Sequence, residues 1–89
     1  MIDLVWDNGF KRKYKKKISS NRDKKDNFWE AMKIFSSDPF DSRLRTHKLT
    51  GQLKGLWAFT VDYDCRVVFR FLSDREILLI DIGGHDDVY

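Results

Sequence analysis

Two histidines, two strand arginines and a terminal tyrosine are the side chains of this chain best suited to acid–base and phosphate chemistry. His47 lies in a connector. His85 follows the pair Gly83-Gly84, with Tyr89 four residues further on. Imidazole exchanges protons near neutral pH, and a phenol can donate a proton or orient a phosphate oxygen. Arg66 and Arg70 share one parity in a segment where Cys65, Val67, Phe69 and Phe71 hold the other. If the apolar set is buried, both guanidinium groups stand on the opposite face, where a planar fork can grip a phosphate. Each candidate also has a plainer reading: capping or packing for a histidine, and pairing with a cross-strand carboxylate such as Asp62 or Asp81 for an arginine. Asp62 and Asp64 read as turn residues or as charged members of the site. Cys65 falls on the apolar side with no adjacent base, so it is not expected to be a nucleophile. One cysteine and two distant histidines make no zinc pattern. Phosphate-loop, zincin and nucleophile-elbow motifs are absent from the sequence.

The elements that must hold these groups follow from pattern. Ile2–Trp6 reads as a first strand, ended by Asp7-Asn8-Gly9, where Asp7 or Asn8 can cap a helix. Phe10, Tyr14 and Ile18 recur every four residues among lysines, the stripe of an amphipathic helix with a basic outer face. Ser19-Ser20-Asn21 breaks it. A second helix is expected over about 24–36, burying Phe28, Trp29, Met32 and Phe35 with Ile34 at the edge. Pro39 forbids its continuation. Residues 40–55 read as a polar connector carrying Arg43, Arg45, His47, Lys48 and Lys54. The period then becomes two through Trp57, Phe59 and Val61, and again from Cys65 to Phe71. Residues 77–82 are nearly all apolar, as a central strand would be. The order β-α-α-β-β-β predicts an α+β fold: an N-terminal strand, a helical hairpin, and a three-stranded antiparallel meander in a two-layer sandwich. The first strand should join the edge or lie beside the last strand.

At 89 residues the chain is expected to form a single domain over 1–89. Its 15% aromatic content supplies the bulky core that so small a domain needs. No apolar run approaches the ~20 residues of a membrane span. The first residues lack a basic region, so no signal peptide is expected, and the lone Cys65 fits a reducing, cytoplasmic setting. Between Asn8 and Lys25 nine Lys/Arg face a single Asp, whereas between Asp74 and Tyr89 five Asp/Glu face one Arg. Such a cationic stretch suits a polyanion or an acidic partner; its plainer reading is a solvated helix face.

The segments Leu49–Trp57 (LTGQLKGLW), Asp64–Phe69 (DCRVVF) and Ile80–His85 (IDIGGH) together resemble the RelE/ParE superfamily of bacterial toxins, nearest the branch of RelE, YoeB and YafQ messenger-RNA interferases. The order and spacing of these segments, over about half the chain, carry the resemblance. It implies a RelE-like α+β toxin of a type II toxin–antitoxin pair that cleaves mRNA, commonly in the ribosomal A site, with no metal and no cofactor. By position, Arg66 matches the family's strand arginine, His85 the basic position after the last strand, and Tyr89 the aromatic residue near the C-terminus. His47 is similar to a connector histidine, and Asp64 to an acidic position, of the YafQ-like branch. A pair of strand lysines used by RelE itself has no counterpart, since Trp57 and Phe59 occupy that stretch, and the glutamate of YoeB-like members has no clear match. The general base is thereby left open.

The resemblance implies catalytic roles for His47, Arg66, His85 and Tyr89. Arg66 would stabilise a phosphorane, His85 would protonate the leaving 5′-oxygen, His47 would act as base or position the 2′-OH, and Tyr89 would orient the phosphate or stack a base. Lys48, Lys54, Asp64 and Arg70 would contact substrate; of these Lys48, Lys54 and Arg70, with the lysine-rich helix, would hold mRNA and rRNA phosphates. The implied partners are a cognate antitoxin, mRNA and the ribosome, with operator DNA reached only through the antitoxin complex and no membrane. The alternatives are a ParE-like poison of DNA gyrase, or a domain that binds RNA or antitoxin with weak catalysis; His85 with Tyr89 favours the interferase.

Overall fold

The computed structural model describes residues 2–84. Strand β1 (Asp3–Trp6) leads into helix α1 (Asn8–Lys13), capped by the Asp7 carboxylate, which accepts a hydrogen bond from the Gly9 amide. The helix then widens into a π turn over Tyr14–Ile18, closed by the Ser19 amide donating to the Tyr14 carbonyl at 3.0 Å. Residues four apart on an α-helix drift by ~40° per step, because each residue turns ~100°. The wider turn swings Ile18 back over the core, so Phe10 and Ile18 are both buried.

Helix α2 (Arg22–Ser37) starts at Asn21, whose side chain accepts from the Lys24 amide, and stops before Pro39. Its buried face is Phe28, Ala31, Met32 and Phe35. Trp29, expected in that face, lies outside it and is 48% exposed. One residue past Phe28 is a step of ~100° around the helix, which turns the indole toward α1.

The meander forms as expected: β3 (Trp57–Asp62), β4 (Cys65–Phe71) and β5 (Glu76–Gly83) are antiparallel neighbours. β1 lies beside the last strand, parallel to β5. The stretch read as a polar connector holds more order than its sequence announced. A two-residue strand β2 (His47–Lys48) pairs with β3, flanked by single 3-10 turns at Ser42–Leu44 and Gly51–Leu53. Two residues are too few to show alternation. The five-stranded mixed sheet has the order β1-β5-β4-β3-β2.

The helices cover one face. Phe35 stacks on Phe59 at 4.2 Å between ring centroids and meets Phe69 edge-on at 4.9 Å, with Val67, Ile77, Leu79 and Ile82 completing the layer. Among the described residues no polar or charged side chain is buried. The other face is less open than the sequence suggests. Leu49 and Leu56 fold over Ala58 and Val68 in a second small apolar cluster, held by the Leu49 amide donating to the Leu56 carbonyl at 2.9 Å. Gly51 (φ 66°) and Gly55 (φ 93°) make that return possible, since both adopt left-handed backbone.

Candidate functional site

Strand β4 sets the geometry. Cys65, Val67 and Phe69 point into the helix-covered core, so Arg66, Val68 and Arg70 point the other way, as the alternation predicts. Arg66 is half-buried between Thr60 of β3 and Gly83 of β5, its register partners. Gly83 has no side chain to screen the guanidinium. Its contact within the described residues is Nη1 donating to the Tyr63 carbonyl at 3.3 Å.

The carboxylates that could have neutralised Arg66 are held elsewhere. Lys13 of α1 donates to Asp81 at 2.5 Å, where α1 takes over the edge of β5 beyond the end of β1. Asp62 accepts from Asn27 of α2 at 3.3 Å and lies 3.9 Å from the Lys24 ammonium. Asp64 accepts from Lys24 at 2.6 Å. A register shift between Thr60 and Asp62 accompanies this turning of Asp62 toward α2. The neighbouring Asp62 carboxyl and then the Lys24 ammonium hold Asp64 below the usual carboxylate range, and the hydrogen bond to Asp64 raises Lys24. Among the described residues, neither Arg66 nor Arg70 forms an ion pair.

His47 faces Ala58, which faces Val68, so the histidine, the alanine and the valine form one row on the Arg66 side of the sheet. Two strand spacings and a two-residue offset along β4 put the Cα atoms of His47 and Arg66 roughly 12 Å apart. His47 is exposed, and its Nδ1 lies 3.0 Å from the Arg45 carbonyl. A carbonyl only accepts, so Nδ1 is the donor in this contact. Arg45 adopts a left-handed φ of 52° to present that carbonyl, a local strain of about 1 kcal/mol.

Of the other expected contacts, Arg70 is exposed two residues beyond Val68 on the Arg66 side, and Lys54 is exposed at the end of the second 3-10 turn. Lys48 belongs to the opposite face: it pairs with Trp57, which pairs with Phe69, and its ammonium sits 5.4 Å from the Trp57 ring centre. Asp64 is engaged by α2. The structure therefore brings His47, Arg66 and Arg70 to one side of the sheet and directs Lys48 and the Asp64 carboxylate elsewhere. His85 and Tyr89 lie outside the described residues. Cys65 is buried, and burial, then the Asp62 charge, push its thiol up to about 11. A thiol so held is protonated at neutral pH and inert. No group of three His, Cys, Asp or Glu among the described residues could hold a metal ion, and no helix there is long and apolar enough to cross a membrane.

Sequence reasoning missed the lysine locks on Asp81, Asp62 and Asp64. A cation run shows how many charges there are, not which carboxylates they meet across the fold. It also missed the surface position of Trp29, although the spacing 28-31-32-35 marks the helix stripe and leaves 29 to one side.

A family model described as a bacterial toxin of a type II toxin–antitoxin system, YafQ, matches residues 2–89. No protein of curated function matches the chain. The fold is similar to that of YafQ from E. coli strain BL21(DE3), at a TM-score of 0.79 and 17% identity over 100% of this chain and 99% of that one. It is similar also to a chain of the E. coli DinJ-YafQ toxin–antitoxin complex (TM-score 0.77, 19% identity, 99% and 97% covered). A YoeB/ParE toxin from Agrobacterium tumefaciens gives a TM-score of 0.78 at 19% identity over 94% of this chain and 99% of that one. The architecture is thus RelE-like.

Proposed function

Because the chain belongs to the YafQ family of bacterial type II toxin–antitoxin toxins, we propose that it is an endoribonuclease that cuts mRNA on the ribosome by attack of a ribose 2′-OH on the adjacent phosphate. The observation that carries this reading is the state of Arg66: half-buried on a rigid strand, beside a glycine, with the nearby carboxylates held by lysines. Positive charge fixed in advance acts where charge develops, and the phosphorane is where it develops here.

In the proposed step the 2′-oxygen–phosphorus bond forms and the phosphorus–5′-oxygen bond breaks. The 2′-OH proton passes to a base, and the 5′-oxygen takes a proton from an acid, leaving a 2′,3′-cyclic phosphate. RNA carries the nucleophile, so the chemistry calls for no metal. The imidazole of His47, on the Arg66 side of the sheet, suits the first transfer or the positioning of the 2′-OH. His85 as acid and Tyr89 as phosphate orienter complete the scheme; the described chain reaches Gly83 directly opposite Arg66, two residues before His85 in sequence. Arg70 and Lys54 would hold flanking phosphates. The E. coli DinJ-YafQ complex shows such a toxin with its antitoxin, and a cognate antitoxin is proposed here, its acidic residues meeting the basic surface and ordering on binding.

The test is brief induction followed by mapping of RNA 5′ ends, with purified chain on programmed ribosomes, in the magnesium buffer that keeps them intact, as the second arm. Translated mRNA should fragment at codon-phased positions with cyclic phosphate ends. Intact mRNA accompanied by DNA breaks would show a gyrase poison instead, and arrest without either would show a binding domain.

A further inference from the structure

A second feature lies on the helical side of the molecule, away from the Arg66 face. Trp6, Tyr14 and Trp29 line an open cleft of ≈ 560 Å³ together with Lys11, Arg12 and Lys15. The Trp6 and Trp29 rings lie 26° from parallel at 5.9 Å, and the Trp29 indole donates to the Tyr14 hydroxyl at 2.9 Å. That bond pins the plane of a side chain 48% exposed. Lys11 and Lys15 are four residues apart, on one side of α1 and the π turn, and both are exposed. Unlike Lys13 and Lys24, the three cations of the cleft form no ion pair among the described residues.

We infer that this cleft seats an unpaired nucleobase of RNA on Trp29 while Lys11, Arg12 and Lys15 hold the flanking phosphates. Two observations choose this occupant. An oriented flat indole offers a stacking platform that accepts any base, and the charged residues lining the cleft, Lys11, Arg12 and Lys15, are all cationic. An acidic peptide would match the charge alone and has no need of the fixed ring plane. The inference rests on the reading of the chain as an RNA-acting toxin and deepens it: the cleft would dock ribosomal or messenger RNA at a distance from the cleaved bond.

The probe is 2′-O-methyl hexauridylate, which lacks the attacking hydroxyl, compared with an abasic strand of the same length. Wild-type chain should bind the hexamer more tightly than the abasic strand and show quenched tryptophan fluorescence. Trp29→Ala should weaken the hexamer roughly 5- to 150-fold, as loss of one base stack does, and leave the abasic strand unchanged. Trp29→Phe should retain much of the affinity, and Lys11→Gln with Lys15→Gln should weaken both strands. Circular dichroism and melting check that each variant is folded. Equal loss on both strands for Trp29→Ala, no loss at all, or Trp29-dependent binding of a glutamate-rich peptide with none of the hexamer overturns the proposal. Since the probe cannot be cut, failure of the ribonuclease reading would appear as missing cleavage with this binding intact. Failure of the cleft would appear as cleavage with binding that ignores Trp29.

Discussion

Arg66→Ala should remove most of the cleavage rate and little of the stability. The structure supplies both halves of that expectation. The guanidinium makes one hydrogen bond within the described residues, at 3.3 Å to the Tyr63 carbonyl, and no ion pair there. Losing this long hydrogen bond costs about 1 kcal/mol, a fall of roughly 4–8 °C in melting temperature for a domain of this size. The rate effect is larger, because a preorganised donor at a developing anion contributes about 10²- to 10³-fold. Arg66→Lys keeps a charge and loses the fork, so its rate should fall between the two. Initial rates of fragment appearance on programmed ribosomes, read by primer extension at a temperature where all three proteins are folded, give the numbers. A folded Arg66→Ala protein that cleaves within about threefold of wild type would refute the reasoning, as would a lysine variant no better than alanine combined with a large loss of stability.

Three further outcomes follow from the packing and the charges. His47→Ala should slow cleavage by roughly 10²- to 10⁴-fold as a lost acid–base group does, yet move the denaturation midpoint little, since the residue is exposed on a two-residue edge strand. Phe35→Ala should cost about 3–5 kcal/mol in chemical denaturation, because it empties the space between Phe59 and Phe69. Cys65 should make the fold alkali-sensitive: its thiol is raised from 9.0 to about 11, so the folded state binds the extra proton in that interval. Stability present below pH 9 is then lost as pH rises toward 11, by ~3 kcal/mol, and Cys65→Ala should abolish that component of the slope.

Much of this fold was legible because its elements obey strong periods. Alternation through β3 and β4 placed Cys65, Val67 and Phe69 inward and Arg66 and Arg70 outward, and the apolar run at 77–82 became the strand between β1 and β4. What was hidden depended on contacts rather than periods. Strand β2 is two residues long and exists because β3 offers an edge. The π turn at Tyr14–Ile18 answers a demand of packing, not of propensity. Lys48 and His47 are adjacent in sequence, and only their pairing with Trp57 and Ala58 assigns them to opposite faces.

The candidate site shows the same division more sharply. Residue types and parity were enough to nominate Arg66, and they were enough to raise the rival reading in which Asp62 or Asp81 neutralises it. Deciding between them required knowing where two lysines of the basic stretch go. Lys13 meets Asp81 and Lys24 meets Asp64, with Asp62 close by, so the helical layer draws negative charge away from the strand arginine. The basic stretch thus does two separable things: part of it binds the protein's own carboxylates, and part, at Lys11, Arg12 and Lys15, faces solvent beside Trp29. Phosphate binding should follow the second group and not the total. The slope of RNA affinity against salt should therefore drop when Lys11 or Lys15 is neutralised, because each phosphate contact releases counterions. Neutralising Lys13 should act differently, freeing Asp81 and weakening catalysis more than binding.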